Sequence, residues 1–306
     1  MTQRQVEKMA ASQIDPEAIA QLARECSIEI NVQDVRDLEA SRALLPAGKK
    51  VYVSHLPKQT WRQTLDACHA VSAVGFDPVP HIPVRLLDTE RALDSFLADA
   101  ARSANVREVL LIAGDYPHPA GPYASVADVL RTGKIGEHGF SRVSLAGHPE
   151  GHPKVPVAEI RRAEREKAQL AQSLGLETTL LTQFFFEAQP FLDWASQLRF
   201  DGVGVRLVGG LSGPANIATL FRFAMRCGVG PSIRALGAKP TSLMKLIGEH
   251  GPEVVMRELA TARGTHAGLF DGVHFFCFGG FLRTCEWLQR VAAGRFELEE
   301  KGFAVL

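Results

Sequence analysis

Eight short segments rich in Val, Ile, Leu or Phe recur along this chain, and they strongly constrain its fold. Each has the length of a buried strand, and most precede a pattern typical of a helix. Eight strand-helix units in 306 residues favour an α/β fold of the (β/α)8 TIM-barrel type over an open doubly wound sheet. No GxGxxG motif follows the first strand, which also disfavours the open sheet. The predicted strands lie near Ser27–Val32, Lys50–His55, Asp77–Ile82, Val106–Ile112, Arg142–Ala146, Thr178–Phe184, Val203–Val208 and Gly272–Phe278.

The helical patterns between these strands often open at Asp, Pro or Thr, as helix starts do. We expect residues 1–24 to form an N-terminal cap helix and residues 25–306 to form the barrel as one domain. The predicted helices are Gln59–Val74, Asp88–Ser103, Ala158–Ser173, Pro190–Leu198, Pro214–Cys227, Thr241–Gly248 and Pro252–Thr265.

Composition excludes several classes of protein. With 34 basic and 34 acidic residues, the chain lacks the basic surface that nucleic-acid binding needs. The five cysteines include no CxxC pair, which argues against a disulfide framework or a structural zinc site. The N-terminus lacks the apolar core of a signal peptide, and no run of 18 apolar residues occurs. We therefore expect a cytoplasmic protein without nucleic-acid or membrane partners.

Polar residues end several of the predicted strands. Active sites of TIM barrels lie at the carboxyl ends of the strands, so these residues are the candidates for chemistry. The set has no Ser-His-Asp order and no lysine placed to form a Schiff base. It suits hydrogen bonding to a large heteroaromatic ligand more than attack on an ester. The candidates are Glu29, Ser54, His55, His81, Asp115, His148, His152 and Gln183.

Four motifs carry a resemblance to a known family. LLIAGDYP, PYAS, HPEGHP and LTQFFF follow one another in this order. With them, the chain resembles the methylenetetrahydrofolate reductases, flavoenzymes built on a (β/α)8 barrel, from about Ser27 to Arg290. The resemblance implies a bound FAD that is reduced by NADH or NADPH. It also implies hydride transfer to methylenetetrahydrofolate in the one-carbon metabolism that serves methionine biosynthesis.

The resemblance also implies roles for individual residues. Glu29 matches the acid that protonates folate and opens its five-membered ring. A carboxyl group in a partly desolvated position can have a raised pKa, as a general acid needs. Asp115 matches the second catalytic residue, an aspartate beside the flavin and the pterin. Substrate contacts are implied at Gln183, which pairs with the pterin edge, at Phe223, which stacks on folate or nicotinamide, and at Thr219 and Arg283.

A second set of positions corresponds to the family's cofactor contacts around the isoalloxazine, ribose and pyrophosphate. These positions are Ser54, His81, Gly114, Asp115, Tyr123, Ala124, His148, His152, Glu164 and Lys167.

The chain departs from the family at several cations. The arginine before the Gly-Asp pair is replaced by Ala113, and a basic pair is replaced by Leu170 and Ala171. Each charge-assisted bond to a phosphate is worth about 1.5–3 kcal/mol, so FAD is expected to dissociate readily unless Lys167, Arg165 or Arg162 substitutes.

Two loops also depart from the family. An aromatic-proline turn after the first strand is replaced by residues 31–34, and the last strand ends in Gly279-Gly280 instead of Asn-Arg. We therefore expect NADH and NADPH to be poor reductants of the bound flavin.

Other interpretations of the function stay open at this point. His148 and His152 are four residues apart, as in some zinc sites, although Pro149 and Pro153 disfavour a regular helix there. A flavin-binding folate oxidoreductase could also receive electrons from a partner protein, or it could run in the direction that oxidises methyltetrahydrofolate. The sequence does not distinguish NADH from NADPH, and it leaves homo-oligomer formation open.

Overall fold

The computed structural model describes residues 15–114, 116–227 and 249–306, with residues 249 and 250 described by their backbone alone. Eight parallel strands close into a barrel in which each pairs with the next and the last pairs with the first. This confirms the predicted (β/α)8 fold. The strands are β1 (Ser27–Ile30), β2 (Lys50–Val53), β3 (Asp77–Pro83), β4 (Glu108–Ile112), β5 (Arg142–Gly147), β6 (Glu177–Phe184), β7 (Arg206–Ser212) and β8 (Gly272–Phe276).

Helices surround this barrel. The longer ones are α1 (Pro16–Glu25), α2 (Trp61–Ala73), α3 (Glu90–Ser103), α4 (Val126–Arg131), α5 (Val157–Ser173), α6 (Ala188–Phe200), α7 (Ile217–Cys227), α8 (Glu253–Thr265) and α9 (Phe281–Ala292). Single helical turns occupy Asp34–Asp37, Leu38–Ser41, Val84–Leu86 and Lys134–Glu137. A C-terminal hairpin of β9 (Phe296–Leu298) and β10 (Phe303–Val305) follows α9, and Ala215–Asn216 pairs with Glu249–His250. The predicted helix Thr241–Gly248 lies outside the described residues. No helix in the described parts of the chain is both long and apolar enough to span a membrane.

Helix α1 begins and ends at side chains that satisfy its terminal backbone groups. Asp15 caps the N-terminus by accepting a hydrogen bond from Glu17 N at 2.9 Å. At the other end, Lys49 Nζ donates to the carbonyl oxygens of Arg24 and Cys26 at 2.7 and 2.9 Å. The helix packs against α8 and α9.

Alternate residues of each strand face opposite sides of the barrel wall. Ile28, Val51, Val109 and Phe275 belong to the large core between the strands and the helices. A separate small cluster of Tyr52, Val79, Leu110 and Leu181 fills the inside of the barrel. This alternation leaves the remaining inward positions for polar residues, because side chains along a strand have a period of two.

A buried polar network occupies the amino-terminal end of the barrel. Glu108 is 2% exposed, and its Oε2 forms an ion pair with Lys50 Nζ at 2.7 Å. Its Oε1 accepts a hydrogen bond from Ser144 Oγ at 2.6 Å. Tyr52 Oη lies 2.9 Å from Ser144 Oγ. The Tyr52 ring then extends toward His274, with 4.9 Å between ring centroids. Tyr52 thus connects this network to the opposite end of the barrel.

Strand β7 ends four residues later than the sequence predicts, so the predicted end at Val208 is wrong. The pair Gly209-Gly210 indicated a strand end, but both glycines lie within the strand. A Cβ on Gly210 would lie 2.5 Å from Thr182 O and 2.8 Å from the Phe276 ring. Glycine is therefore present here because the neighbouring backbone approaches closely.

Candidate active site

The carboxyl ends of the strands form the barrel mouth, where an acid and two histidines converge. Glu29 comes from β1, His81 from β3 and His274 from β8. Glu29 Oε2 lies 3.4 Å from His81 Nε2 and 3.8 Å from His274 Nε2. All three atoms are buried and make no hydrogen bond with any described residue. Buried polar atoms without partners are rare, so this acid–histidine cluster is suited to sharing a proton or meeting a ligand.

Burial sets the protonation states in the acid–histidine cluster. Burial raises the pKa of Glu29, although the charge that His81 can carry opposes this shift. Burial lowers the pKa of His81 and lowers that of His274 to about 3. At neutral pH both histidines are therefore uncharged, and the proton-holding form of Glu29 is favoured relative to a carboxyl group in water.

His274 is held in place by neighbouring strands. Its Nδ1 lies 2.9 Å from Ser27 Oγ, so Nε2 is the ring nitrogen that faces Glu29. The Tyr52 and Phe276 rings contact it edge-on, each with 4.9 Å between centroids. Sequence reasoning did not select His274 as a site residue. The signal was its inward position opposite Ser27, which becomes visible only when β8 pairs with β1.

Several predicted cofactor positions surround the acid–histidine cluster at the ends of β2, β3 and β4. Ser54 donates to Ile30 O at 2.8 Å, and Gly114 has a φ of +84°, which glycine adopts readily. Tyr123 is buried, and its hydroxyl makes no hydrogen bond with a described residue. Ala124 is exposed and leads into helix α4. Asp115, predicted as catalytic and as a ligand contact, lies outside the described residues.

The remaining candidate that follows β2, His55, has hydrogen-bond and ring contacts within the protein. Its Nδ1 lies 2.8 Å from Thr64 Oγ1, and its ring stacks on Trp61 with 4.2 Å between centroids. Burial lowers its pKa to about 4. His55 therefore connects the end of β2 to helix α2.

The turn after β5 is organised by Glu164. This carboxylate is 1% exposed and accepts hydrogen bonds from His148 N at 2.6 Å, Trp194 Nε1 at 3.0 Å and Arg161 Nη1 at 2.8 Å. Arg161 also donates to the carbonyl oxygens of His148 and Pro149. In this conformation the carboxylate of Glu164 shapes the turn, and a direct contact of Glu164 with a cofactor stays a prediction.

His148 and His152 both lie in this turn, with their ring centroids 6.2 Å apart and the rings nearly perpendicular. Across residues 15–114, 116–227 and 251–306, no group of three His, Cys, Asp or Glu side chains is arranged to hold a metal ion. A structural basis for the zinc alternative is therefore not found in this part of the chain.

Lys167 places a cation beside the end of β5. Its Nζ donates to the carbonyl oxygen of Ala146. Burial lowers its pKa to about 8, with Glu164 opposing the shift. Of the other two predicted substitutes, Arg162 and Arg165, the second pairs with Asp201 at 2.7 Å. Lys167 is thus better placed than Arg165 for a phosphate at the mouth.

Gln183 lies where β6 is irregular. The pairing of β6 with β7 shifts between Leu181 and Phe184, and such a bulge redirects side chains near functional sites. The Gln183 Oε1 atom accepts a hydrogen bond from Phe184 N at 3.1 Å. Gln183 also lines a small cleft with His148 to Gly151, Phe184 and Cys227. The structure therefore brings the predicted substrate amide and the turn after β5 to one cleft.

An aromatic cluster forms one side of the mouth, and it contains Phe184, Phe186, Phe223, Phe276 and Phe278. Phe223 stacks on Phe278 with 4.1 Å between centroids and an angle of 17°. One face of Phe223 is therefore covered by Phe278, and the Arg222 guanidinium carbon lies over the ring 5.9 Å from its centroid. A planar ligand that stacks on Phe223 has to displace one of these side chains or share the ring with Arg222.

Two further predicted substrate residues begin helices near the mouth. Thr219 lies in the first turn of α7, where its N–H donates to Asn216 Oδ1 at 2.8 Å. Arg283 lies in the first turn of α9 and is exposed. The structure places both after barrel strands, whereas Glu29 and His81 lie inside the barrel wall.

The fold and the acid–histidine cluster define a (β/α)8 barrel whose mouth can bind a ligand and move a proton. Similarity to known proteins is more specific. The chain is 25% identical over 169 residues to methylenetetrahydrofolate reductase 2 of Saccharomyces cerevisiae, covering 51% of this chain and 26% of that protein. It is 26% identical over 152 residues to 5,10-methylenetetrahydrofolate reductase of Pectobacterium carotovorum, covering 49% of this chain and 48% of that protein. It is 25% identical over 141 residues to methylenetetrahydrofolate reductase (NADH) 1 of Arabidopsis thaliana, covering 42% of this chain and 24% of that protein.

These matches confirm the resemblance to the methylenetetrahydrofolate reductase family that the motifs predict. The matches span between about a quarter and a half of the length of these curated relatives. No model of a known protein family matches the chain. Among solved structures, the chain is similar to dihydropteroate synthase from Thermus thermophilus, with a TM-score of 0.46 and 12% identity over 85% of this chain and 90% of that one.

Proposed function

We propose that this protein is a flavin-dependent methylenetetrahydrofolate reductase that interconverts 5,10-methylenetetrahydrofolate and 5-methyltetrahydrofolate. The single observation that carries the proposal is the acid–histidine cluster, in which Glu29 Oε2 is buried 3.4 and 3.8 Å from two histidine nitrogens and burial raises the pKa of this carboxyl group. Protonation of a folate nitrogen is the step that such an acid supplies. The similarity to curated methylenetetrahydrofolate reductases supports the same reaction.

Each residue of the mouth has a role in this proposal. Glu29 donates the proton that opens the folate ring and takes it back in the reverse direction. His274, fixed by Ser27, and His81 flank this carboxyl group, and burial lowers the pKa of both histidines and so favours their uncharged forms. Gln183 holds the pterin edge, since an amide offers both a donor and an acceptor. The aromatic cluster excludes water and supports a planar ring.

The residues present fit a flavin. Two buried atoms at predicted cofactor positions, Tyr123 Oη and His81 Nε2, make no hydrogen bond with described residues, and a heteroaromatic ligand would satisfy them. Lys167 supplies positive charge for the phosphates. When bound, FAD supplies the hydride carrier between the electron donor and folate.

NADH or NADPH is the donor that we propose first, and the Arabidopsis relative carries NADH in its name. A partner protein as electron donor is the second candidate, and the loop after β1 favours it. Asp34 and Asp37 lie in this loop with Arg36, whose Nε lies 3.9 Å from Asp37 Oδ1, so the loop has one more acidic than basic residue. An acidic loop disfavours an anionic nucleotide at this side of the mouth.

The absorption spectrum of the purified protein tests the proposal directly. We expect the protein, as isolated or after incubation with FAD, to show a flavin band that is bleached when 5-methyltetrahydrofolate is added without oxygen. In a parallel sample of oxidised protein, bleaching by NADH distinguishes a nucleotide donor from a partner protein. A protein that takes up no flavin, or a flavin that folate does not bleach, would exclude this function.

Replacing Gln183 by Ala is expected to weaken folate binding by about five- to tenfold, because each lost hydrogen bond is worth about 1 kcal/mol. The flavin spectrum should remain unchanged. Folate titration of the oxidised protein measures the effect, and Gln189→Ala on the exposed side of α6 is the matched control. Loss of flavin with unchanged folate affinity would assign Gln183 to the cofactor instead.

The pKa of Lys167 predicts how FAD affinity depends on pH. Above a pKa of about 8, Lys167 in the protein without cofactor loses its proton, whereas a bound phosphate favours the charged form. The complex then holds more protons, so the affinity should be constant below this pH and fall above it, by up to about tenfold per pH unit. FAD titrations from about pH 7 to about pH 9.5 measure this dependence. Lys167→Arg should remove the decline, and an unchanged decline in this variant would assign it to another group.

A further inference from the structure

A single arginine, Arg85, holds the loop that follows β4 at four points. Its backbone N–H donates to Ala113 O at 3.3 Å, and its carbonyl oxygen accepts from Ala120 N at 2.8 Å. Its side chain extends the contact, with Nε donating to Ala124 O at 2.9 Å and Nη1 donating to Tyr116 O at 3.1 Å. The loop that contains the predicted cofactor residues 114, 123 and 124 is therefore built around the guanidinium of Arg85.

The loop packs against the turn that carries Arg85 with almost no free space. A Cβ on Gly121 would lie 2.3 Å from Asp88 O and 2.5 Å from Leu87 O. At the far end, Asp128 accepts hydrogen bonds from the N–H groups of Ala124 and Ser125 at 3.0 and 2.8 Å and so begins helix α4. The position of the guanidinium is thus fixed before any ligand arrives.

The positive charge of Arg85 has no acidic partner in the described residues. Its side chain is half-buried and donates only to neutral carbonyl oxygens, while Nη2 makes no hydrogen bond with this part of the chain. By contrast, Arg161 pairs with Glu164 and Arg165 pairs with Asp201. A half-buried charge without a counterion is partly desolvated, and an anion that binds to it offsets that cost.

Arg85 lies beside the position of a cation that the resemblance implies and that this chain lacks. The family's arginine before the Gly-Asp pair is Ala113 here. The backbone N–H of Arg85 donates to Ala113 O, so the two residues lie side by side just after the adjacent strands β3 and β4. A guanidinium at residue 85 can therefore serve a ligand that one at residue 113 would serve.

We propose that Arg85 binds the diphosphate of the dinucleotide cofactor and replaces the cation missing at residue 113. This inference rests on the proposed flavin site and assigns its phosphate contact. The guanidinium is planar and can donate to a phosphate through its remaining N–H groups while the others hold the loop. Because the loop fixes its orientation in advance, little side-chain freedom is lost on binding.

Ligands that differ in their phosphates test the proposal. Protein stripped of cofactor is titrated with FAD, ADP and riboflavin, which has no phosphate. Arg85→Ala is expected to weaken FAD and ADP by about ten- to a hundredfold and riboflavin by less than about threefold. It should also reduce the salt dependence of FAD binding, because one charge pair is lost. Arg102→Ala removes an exposed charge on α3 and is the matched control, expected to change none of these affinities.

A charge relocation separates phosphate binding from loop support. Ala113→Arg in the Arg85→Ala background should recover FAD affinity, although the two side-chain contacts of Arg85 with the loop are not restored. If Arg85→Ala weakened riboflavin as much as FAD, left the salt dependence unchanged and were not rescued, Arg85 would shape only the loop and the proposal would fail. If the alanine variant does not fold, Arg85→Lys replaces it: this variant keeps the charge and should keep the salt dependence of FAD binding, and loss of that dependence would contradict phosphate binding.

The same titrations distinguish this proposal from the proposed function. Binding of ADP that depends on Arg85, together with no binding of FAD or riboflavin, would support the phosphate contact and exclude the flavin enzyme. Absence of binding for FAD and ADP alike would overturn both.

Discussion

Glu29→Gln is expected to retain the fold and the bound flavin and to slow the folate half-reaction by about a hundredfold to ten-thousandfold. Glutamine has the size of glutamate and can still meet His81 and His274, but it cannot supply the proton that opens the folate ring. Rapid mixing of reduced protein with methylenetetrahydrofolate measures this step. Flavin reduction by dithionite or by any active donor should proceed as in the wild type.

The pH dependence provides a second test of Glu29. Since burial raises its pKa, the wild-type folate half-reaction should slow as the pH rises through that pKa and the acid loses its proton. The Glu29→Gln variant should lack this decline. Glu177→Gln, at the exposed start of β6, is the matched control and should behave as the wild type. If both half-reactions of Glu29→Gln were normal, another residue would have to be the acid.

Gly210→Ala is expected to lower the free energy of unfolding by about 1–3 kcal/mol, the usual range for overpacking a close-packed interior. The added Cβ would lie 2.5 Å from Thr182 O and 3.0 Å from the carbonyl carbon of Gln183, so β6 must move. Folate affinity should fall together with stability because Gln183 moves with that strand. Chemical unfolding and folate titration measure the two effects.

Gly272→Ala is the matched control for this prediction. Gly272 lies in β8, the strand that pairs with β7, and a Cβ there would have no atom within 4 Å. Its unfolding midpoint should lie close to that of the wild type. Equal midpoints for both variants would show that β6 adapts to the methyl group at residue 210 without strain.

The architecture was predictable because period and composition determine it locally. Eight apolar segments separated by helical patterns are enough to indicate the barrel, and the rule that strand ends carry the chemistry placed Glu29 and His81 at one mouth. The end of β7 was not predictable from local signals. Gly209 and Gly210 have the composition of a turn, and only the approach of Thr182 and Phe276 explains them as strand residues.

Residues that act through long-range neighbours were missed for a similar reason. His274 stands in an apolar strand and resembles a core histidine until closure of the barrel brings it to Ser27 and Glu29. Arg85 belongs to no motif, because its contacts are with backbone carbonyl oxygens about 30 to 40 residues away. Every residue type has a backbone carbonyl oxygen, so an arginine that binds such acceptors is not marked by any sequence pattern.

The buried network of Lys50, Glu108 and Ser144 selects one alignment of the strands against its alternatives. Its members come from β2, β4 and β5, so the ion pair crosses the barrel between strands that are not neighbours. A slip of β4 by one residue would turn Glu108 outward among the apolar side chains beneath the helices and would leave Lys50 without its partner. An unpaired buried charge costs about 3–5 kcal/mol, so misaligned barrels are excluded by a penalty that an all-apolar interior would not impose.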